Sequence, residues 1–322
     1  MKAIRIDGDR LTWTEAPVPE LGPGQVQIDV HATAVNRADL VQRAGGYPPP
    51  PGASEILGLE CAGVVSAVGE GVTRVRPGQA VCALLAGGGY AEQVVVPAGQ
   101  VLPVPAGFDF QQSAALPEVF ATAYLNLFIE AGLEKGERVL IHAGASGVGT
   151  AAIQLCRAFH SPCFVTAGDD EKIARCIALG ADAGFNRHHG EFQSAVQSWA
   201  GEQGVDVILD VVGAAYFPQN LACLRLRGRL LLVGLMGGVQ TEVNLGVLMM
   251  KRLRVIGSTL RARPVAEKAR VMDALWERVW PLLAAGDIRP IVEAVLPIQE
   301  AEAAHRLVES NDTVGKVVLA VR

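Results

Sequence analysis

The chain has 322 residues, a length that suggests two domains, and half of its residues are hydrophobic, which indicates a packed globular protein. At the whole-chain level, the formal net charge of −5 excludes the strongly basic footprint of a nucleic-acid-binding protein. The six cysteines form no CxxC pair, so they indicate neither a zinc ribbon nor a redox dithiol, and their scatter is typical of a reducing cytoplasm.

No segment of the sequence is predicted to enter a membrane. The first residues lack the apolar core of a signal peptide. The uncharged stretch 139–156 contains glycines, a histidine and a glutamine, which do not favour a transmembrane helix. We therefore expect no membrane partner.

Strands and turns are predicted for the first third of the chain. Residues 26–30 alternate between apolar and polar side chains after a Pro-Gly turn signal. Residues 63–68 and 90–96 are further β-like runs, and four prolines at 48–51 predict a stiff loop. We predict an all-β region with irregular insertions.

The pattern becomes helical over 117–131, and strands then alternate with helices. The predicted strands are 138–142, 164–167, a short one at Phe185, 205–212, 230–234 and 253–258, and the predicted helices between them are 150–159, 170–179 and 191–201. Alternation of this kind predicts a parallel sheet with helices on both faces, and six strands make a complete doubly wound domain.

The last sixty residues are too few for a third domain. Their pattern predicts a long helix at 265–285, a strand at 291–296, a helix at 298–310 and a strand at 315–321. We predict that this tail returns to complete the N-terminal domain.

A strand, a glycine turn and a helix follow one another from residue 138 to residue 159. Gly144 permits a tight turn, and Gly149 lets the helix pack closely on the strand. The helix N-terminus offers free N–H groups to a dinucleotide pyrophosphate. The predicted contacts of this turn are Gly144, Ala145, Ser146, Gly147, Val148 and Gly149.

The residues after the next strand bear on which dinucleotide is bound. An acidic residue about 20 positions beyond the turn selects NAD through its ribose hydroxyls, and Asp169 and Asp170 lie near that distance. The alternative is that Asp169 caps the following helix, since Ala167 and Gly168 occupy the strand end. Lys172 and Arg187 would favour the 2′-phosphate of NADPH, so we predict NADPH and leave NADH open.

Several tracts, taken together with the glycine turn, resemble the zinc-free quinone oxidoreductases of the medium-chain dehydrogenase/reductase superfamily. Within that family the resemblance is to the subgroup typified by the tumour-suppressor-inducible enzyme of animals. It extends over nearly the whole chain. The tracts that carry it are Asn36–Leu40, Gly45–Gly52, Leu57–Glu60, Ile141–Leu155 and Val233–Gly238.

The resemblance implies two domains of an α/β protein. A GroES-like, mainly-β domain would comprise 1–119 and 260–322, and a Rossmann domain with a doubly wound parallel sheet would comprise 120–259. The positions that hold zinc ligands in related alcohol dehydrogenases match Asn36 and Leu59 here. We therefore expect no metal, since a zinc site needs three or four N, S or O ligands.

By resemblance, Asn36 and Tyr47 lie beside the nicotinamide, where Tyr47 would hydrogen-bond a carbonyl or stack on a flat ring. The alternatives are that Asn36 caps a local turn and that Tyr47 packs on the prolines. The resemblance also implies cofactor contacts from Thr122, Ser146, Gly147, Val148, Gly168, Lys172, Gly213, Leu235 and Met236, with Lys316 near the phosphate end.

The resulting hypothesis is a cytoplasmic, zinc-independent reductase that transfers hydride from NAD(P)H to quinones or similar conjugated carbonyls. One alternative is an enoyl or alkenal double-bond reductase. Another is a dinucleotide-gated RNA-binding protein using the basic residues near 251–263, although the net charge disfavours a nucleic-acid partner. We also expect a homodimer, because strand 253–258 would leave an exposed sheet edge.

Overall fold

The computed structural model describes residues 1–8 and 10–322, and these form two compact units. We call Met1–Ala121 with Leu260–Arg322 the terminal unit, because it contains both chain ends. Thr122–Thr259 is the central unit.

The described residues of the first part of the chain form seven strands and two short α-helices. They are β1 (Lys2–Asp7), β2 (Arg10–Glu15), β3 (Gln25–Ala34), α1 (Arg37–Arg43), β4 (Glu60–Val68), β5 (Ala80–Leu84), β6 (Gln93–Pro97), β7 (Val101–Pro103) and α2 (Phe110–Ala114).

The prediction that this region is all-β is wrong at the two helices. Helix α1 begins where the Asp39 carboxylate accepts a hydrogen bond of 2.8 Å from the Asn36 N–H. Helix α2 begins with a capping box, in which Asp109 and Gln112 each accept from the other's N–H. Helices of seven and five residues are too short to show a helical period, so only their caps carry a signal.

Strands and helices alternate from residue 117 to residue 257. The elements are α3 (Pro117–Tyr124), a π-helix (Leu125–Glu130), β8 (Val139–Ile141), α4 (Gly147–Ala158), β9 (Cys163–Ala167), α5 (Asp170–Leu179), β10 (Ala183–Asn186), α6 (Gln193–Ala200), β11 (Val205–Asp210), α7 (Phe217–Cys223), β12 (Leu224–Leu232), α8 (Leu245–Lys251) and β13 (Arg254–Gly257). The predicted bounds of α5 are confirmed at both ends, whereas β12 begins six residues earlier than predicted.

The tail forms α9 (Val265–Arg278), α10 (Trp280–Ala285), β14 (Val292–Pro297), α11 (Ala301–Glu309) and β15 (Lys316–Ala320). The single helix predicted over 265–285 is therefore wrong, because the chain breaks at Val279. Pro281 lacks the N–H that a continuous helix would require there.

The terminal unit is built on a sheet of order β14-β15-β3-β4-β5-β7, and β6 also pairs with β3. Strand β15 runs antiparallel to β3, with Val318 opposite Ala34, so the tail contributes strands to this sheet. Val26, Ile28 and Val30 alternate along β3 and are completely buried in its core. The two-residue period of the sequence therefore places the apolar face of β3.

The central unit contains six parallel strands in the order β10-β9-β8-β11-β12-β13. In doubly wound sheets of this order, ligands bind at the carboxyl ends of the strands where the order reverses, here β8 and β11. The predicted doubly wound parallel sheet and mainly-β second domain are confirmed. Within residues 1–8 and 10–322, no helix is long and apolar enough to cross a bilayer.

Strand β13 forms an edge of the central sheet, and apolar side chains next to it are exposed. In the part of the chain that the structure describes, β13 pairs with β12 alone. Leu245, Met249 and Met250 on α8 are 71%, 72% and 73% exposed. Bare edges and apolar patches both favour association, so a homodimer through this surface stays our prediction.

We expect the protein to have twice its chain mass of 33.9 kDa in light scattering at micromolar concentration. The double variant Met249→Glu with Met250→Glu should have the single-chain mass, because two charges would be buried in the interface. Val18→Glu, an exposed apolar position of the terminal unit, is the control. A wild-type protein of single-chain mass would contradict the prediction.

Candidate active site

The glycine turn after β8 has room for glycine alone at two positions. A Cβ on Gly144 would lie 2.7 Å from the Val165 Cβ, and one on Gly149 would lie 2.4 Å from the Ala143 carbonyl oxygen. The Gly144 N–H donates to the Thr166 carbonyl at 2.9 Å, which ties the turn to β9. The backbone of the turn and the start of α4 are therefore in close contact, as the sequence predicted.

The N-terminus of α4 has free hydrogen-bond donors. Ser146 caps the helix, and its Oγ accepts from the Gly149 N–H at 3.0 Å. The N–H groups of Gly147 and Val148 have no acceptor among residues 1–8 and 10–322. Two free N–H groups at the positive end of a 12-residue helix suit a phosphate group, so this turn fits a dinucleotide.

A buried polar network lies at the carboxyl ends of β8 and β11. Asn220 donates to Asp210 at 3.0 Å, so its Oδ1 accepts from His142 Nε2 at 2.7 Å. His142 Nδ1 then accepts from the Thr166 hydroxyl at 2.9 Å. Burial lowers the pKa of His142 to about 4 and raises that of Asp210 to about 6. A neutral histidine therefore connects the two strands at neutral pH.

This network orients the loop that follows β11. Asp210 Oδ1 accepts from the N–H groups of Val212 and Gly213 at 2.6 and 3.1 Å. Sequence reasoning missed His142, Asp210 and Asn220 as a group. The available signal was that His142 directly follows β8 and that Asp210 ends β11, two strands that the apolar pattern assigns to the same parallel sheet.

Three of the predicted cofactor contacts lie close together in the loops that follow β11 and β12. They are Gly213, Leu235 and Met236. Gly213 has φ +81°, and a Cβ there would lie 2.8 Å from the Leu235 side chain. The Met236 N–H donates to the Val211 carbonyl, and the Leu235 and Met236 side chains are about half exposed. Thr122 lies on α3, where its carbonyl accepts from the Asn126 side chain. These residues stay predicted cofactor contacts.

Asp169 caps helix α5, as one of the two alternatives predicted, and it also binds a cation. Its Oδ1 accepts from the Lys172 N–H at 2.8 Å, and its Oδ2 lies 3.0 Å from the Lys172 ammonium. These hydrogen bonds from the backbone and side chain of Lys172 lower the pKa of Asp169. The exposed Arg187 guanidinium lies beside Gly168, 3.6 Å from where its Cβ would be. A 2′-phosphate would therefore compete with Asp169 for Lys172.

The terminal unit contains a buried ion pair. The Lys316 ammonium lies 2.8 Å from Glu60 Oε1, and the two side chains are 4% and 0% exposed. Lys316 also donates to the Val35 carbonyl at 2.7 Å and to Asn36 Oδ1 at 2.6 Å. Its predicted contact with a cofactor phosphate stays a prediction, and that contact would require one of these bonds to break.

The ion pair orients the Asn36 amide. Asn36 accepts from Lys316 and donates to Glu60 Oε1 at 3.0 Å and to the Ala34 carbonyl at 3.2 Å. Asn36 occupies the N-cap position of α1. Its contact with the nicotinamide stays a prediction, and the amide is held in one orientation for it.

A second buried carboxyl lies behind Asn36. Asp39 accepts from the Gly58 N–H at 3.1 Å and from the Tyr90 hydroxyl at 3.3 Å, and Tyr90 in turn lies 3.2 Å from His305 Nε2. Burial raises the pKa of Asp39 to about 6 and lowers that of His305 to about 4. This chain of hydrogen bonds supports the α1 end of the site.

Tyr47 lies under a cation that sequence reasoning missed as a site residue. The Arg261 guanidinium carbon is 5.3 Å from the centroid of the Tyr47 ring. Arg261 Nε donates to the Ala86 carbonyl at 2.7 Å, and Nη1 donates to the Tyr47 carbonyl at 3.3 Å. The stacked pair presents a half-buried aromatic ring with its hydroxyl. Burial raises the pKa of Tyr47, so the hydroxyl stays protonated at neutral pH.

The positions that match zinc ligands contain no metal-binding group of the usual kind. Asn36 is hydrogen-bonded as described, and the Leu59 side chain is 1% exposed. Within the described ranges 1–8 and 10–322, no three His, Cys, Asp or Glu residues are grouped so that they could hold a metal ion.

Both units match known protein families. Residues 22–106 match the model described as "Alcohol dehydrogenase GroES-like domain", and residues 147–277 match "Zinc-binding dehydrogenase". The quinone oxidoreductase of Rattus norvegicus is 31% identical over 311 residues, which cover 95% of this chain and 92% of that one. Highly-reducing polyketide synthase 1 of Aureobasidium melanogenum is 33% identical over 310 residues, but this chain spans 14% of its length.

Solved structures are similar over the full chain. The Escherichia coli quinone oxidoreductase complexed with NADPH has a TM-score of 0.86 at 28% identity, covering 99% of this chain and 98% of that one. An NAD-dependent alcohol dehydrogenase has a TM-score of 0.87 at 31% identity, covering 100% of both chains. The similar structures thus differ in the cofactor that is stated for them.

We expect Lys316→Met to lower the free energy of unfolding by about 3–5 kcal/mol, because it leaves the Glu60 carboxylate buried without its cation. Urea denaturation followed by circular dichroism measures this. Lys135→Met, at an exposed position, is the control and should change stability little. Adding Glu60→Gln to Lys316→Met should restore part of the loss. Equal stability of Lys316→Met and wild type would contradict the prediction.

Proposed function

This chain belongs to the zinc-free quinone oxidoreductase family of the medium-chain dehydrogenase/reductase superfamily, and we propose that it reduces quinones or similar conjugated carbonyls with NAD(P)H. The observation that carries the proposal is the pair of free N–H groups of Gly147 and Val148 at the start of α4, where the parallel sheet reverses its order. Those groups bind the cofactor pyrophosphate. When bound, the nicotinamide supplies the hydride.

The chain's own residues orient the two reactants. Ser146 holds the turn in its binding conformation through its bond to Gly149. Tyr47 offers a ring for stacking and a hydroxyl for a carbonyl oxygen, and Asn36 presents an amide that the ion pair fixes. The further proposed cofactor contacts are Thr122, Gly144, Ala145, Gly168, Lys172, Arg187, Gly213, Leu235, Met236 and Lys316.

We propose NADPH as the preferred cofactor and NADH as the weaker one. Lys172 and Arg187 supply positive charge beside Gly168, and Arg187 can also stack on adenine. The NADPH complex of the similar Escherichia coli enzyme supports this choice. Asp169 acts against it, because its carboxylate holds the Lys172 ammonium and repels a phosphate.

Fluorescence titration of NADPH and NADH tests the cofactor proposal. We expect Lys172→Ala to raise the Kd of NADPH about fivefold to tenfold and to change the Kd of NADH little. The expected effect on NADPH is that of losing roughly one charge-assisted hydrogen bond. Asp169→Ser keeps an N-cap residue and removes the negative charge, so it should lower the Kd of NADPH by about the same factor. Lys135→Ala is the control. Tighter binding of NADH by wild type would overturn the NADPH preference.

Loss of NADPH absorbance on mixing with a naphthoquinone tests the activity. We expect turnover that requires the quinone and falls at least tenfold in Tyr47→Ala, because the acceptor loses its stacking ring and hydroxyl. Trp276→Phe, at an exposed aromatic position of the terminal unit, is the control and should leave turnover unchanged. An alkenal consumed faster than the quinone would make the double-bond reductase the better description. Binding of NADPH without consumption of either acceptor would refute both.

The RNA-binding alternative has little support from the basic residues near β13. The Lys251 ammonium donates to the carbonyls of Leu221, Ala222 and Leu224, and Arg261 is 3% exposed. These two cations are therefore used within the protein. We keep the cytoplasm as the proposed location, since the six cysteines are free and buried.

A further inference from the structure

Glu118 lies at the start of α3, and the Glu60 carboxylate acts on its side chain electrostatically. Its N–H donates to Glu60 Oε2 at 2.9 Å. The residue is half-buried, but its Oε2 is shielded from solvent and has no hydrogen-bond partner among the residues that the structure describes. An unpaired buried carboxylate oxygen is costly, whereas a protonated carboxyl group carries no charge to desolvate.

The charges around Glu118 do not neutralise it. The Lys316 ammonium already binds Glu60, the Val35 carbonyl and Asn36. Within residues 1–8 and 10–322, no Lys or Arg nitrogen lies within 4.0 Å of the Glu118 carboxylate. The groups that act on it electrostatically are the acids Glu60 and Asp39, the cations Lys316, Arg261 and Lys268, and the phenol of Tyr47.

Arg261, one of the cations that act on Glu118, has an unused hydrogen-bond donor. Arg261 Nη2 is buried and has no partner in the described part of the chain, whereas its other nitrogens bind the Ala86 and Tyr47 carbonyls. The Tyr47 hydroxyl also has no partner among the described residues. Two unused donors and one unused carboxyl suit a ligand that carries carbonyl oxygens and an aromatic or conjugated ring.

We propose that Glu118 carries a proton at neutral pH and donates it to the oxygen of the hydride acceptor, with Arg261 Nη2 as a second donor to that oxygen. This inference rests on the proposed reductase function and names the proton source for it. Burial, with a contribution from the Glu60 carboxylate, raises the pKa of Glu118 to about 8. An acid with a pKa near the working pH is well suited to proton transfer.

The step balances with one hydride and one proton for each quinone. The hydride brings two electrons to the quinone and leaves an anionic oxygen. The O–H bond of Glu118 then breaks, its electron pair stays on the carboxylate, and the proton joins the anionic oxygen to give the hydroquinone. Glu118 recovers its proton from water through its solvent-accessible side.

Measurements on the protein without cofactor test the proton on Glu118 directly. Infrared spectra with labelled glutamate at pH 7 should show the carbonyl band of a protonated carboxyl group, absent from Glu118→Gln and present in Glu55→Gln, an exposed control. A raised pKa gives stability that is present below the unfolded pKa and is lost as pH rises through the folded one. Glu118→Gln should therefore gain stability relative to wild type between about pH 4.5 and pH 8.

Kinetics then test the transfer. Glu118→Gln should reduce kcat with the quinone by about 10²-fold, a usual contribution of general acid catalysis, while the Kd of NADPH stays unchanged. Wild-type kcat should fall as the pH rises through about 8, and this decline should be absent from Glu118→Gln. Glu118→Asp, which keeps an acid, should recover part of the rate.

The outcomes separate this inference from the proposed function. Active wild type with an unchanged rate and pH profile in Glu118→Gln would overturn the proton-donor role and leave the reductase function standing. A wild-type spectrum without the carboxyl band would overturn it even if Glu118→Gln failed to fold. A wild type that reduces no acceptor would refute the reductase function and the transfer step together, while the infrared band would still report the proton.

Discussion

The buried ion pair between Lys316 and Glu60 is the interaction on which the candidate site of the terminal unit depends. Each charge alone would be too costly at these exposures, so each requires the other. The lysine end orients Asn36 and binds the Val35 carbonyl, and the glutamate end accepts from the Glu118 N–H. One pair therefore sets the start of α1 and the start of α3 together.

This pair also explains why Glu118 is left with a proton. The carboxyl groups of Asp39, Glu60 and Glu118 act on one another electrostatically, and Lys316 pairs with Glu60. Asp39 is compensated by hydrogen bonds from two backbone N–H groups and a phenol. Among the described residues, Glu118 has neither a paired cation nor hydrogen bonds to its carboxylate, so its carboxyl group is the one that keeps a proton.

In the central unit, a buried carboxyl group is compensated by hydrogen bonds and not by a buried cation. Asp210 is compensated by backbone N–H groups and by Asn220, and His142 stays neutral between Asn220 and Thr166. This neutral network holds the loops at the carboxyl ends of β8 and β11 without adding charge beside a phosphate site. The charged groups lie farther along the sheet, where Asp169 and Lys172 pair with each other. Cofactor preference therefore depends on how readily that pair separates.

The sequence by itself determined the elements whose signals are local. The alternation of apolar runs predicted the parallel sheet, the cap and period predicted α5 at its observed bounds, and Gly144 and Gly149 marked the turn because no Cβ fits there. The resemblance carried by the Asn36–Glu60 stretch pointed to Asn36 and Tyr47. The missed helices α1 and α2 and the break before Pro281 are short features in which one cap or one missing N–H outweighs the average pattern.

Only the tertiary structure decided which groups the buried cations Lys316 and Arg261 bind. Lys316 binds the Val35 carbonyl across 281 positions of sequence, and Arg261 binds the Tyr47 carbonyl across 214. No local pattern predicts such pairs, because the pairing of β15 with β3 creates the first and the folding of the tail onto the N-terminal region creates the second. The protonation of Glu118 is a consequence of those contacts, since burial and the cations left over after pairing determine whether a carboxyl group ionises.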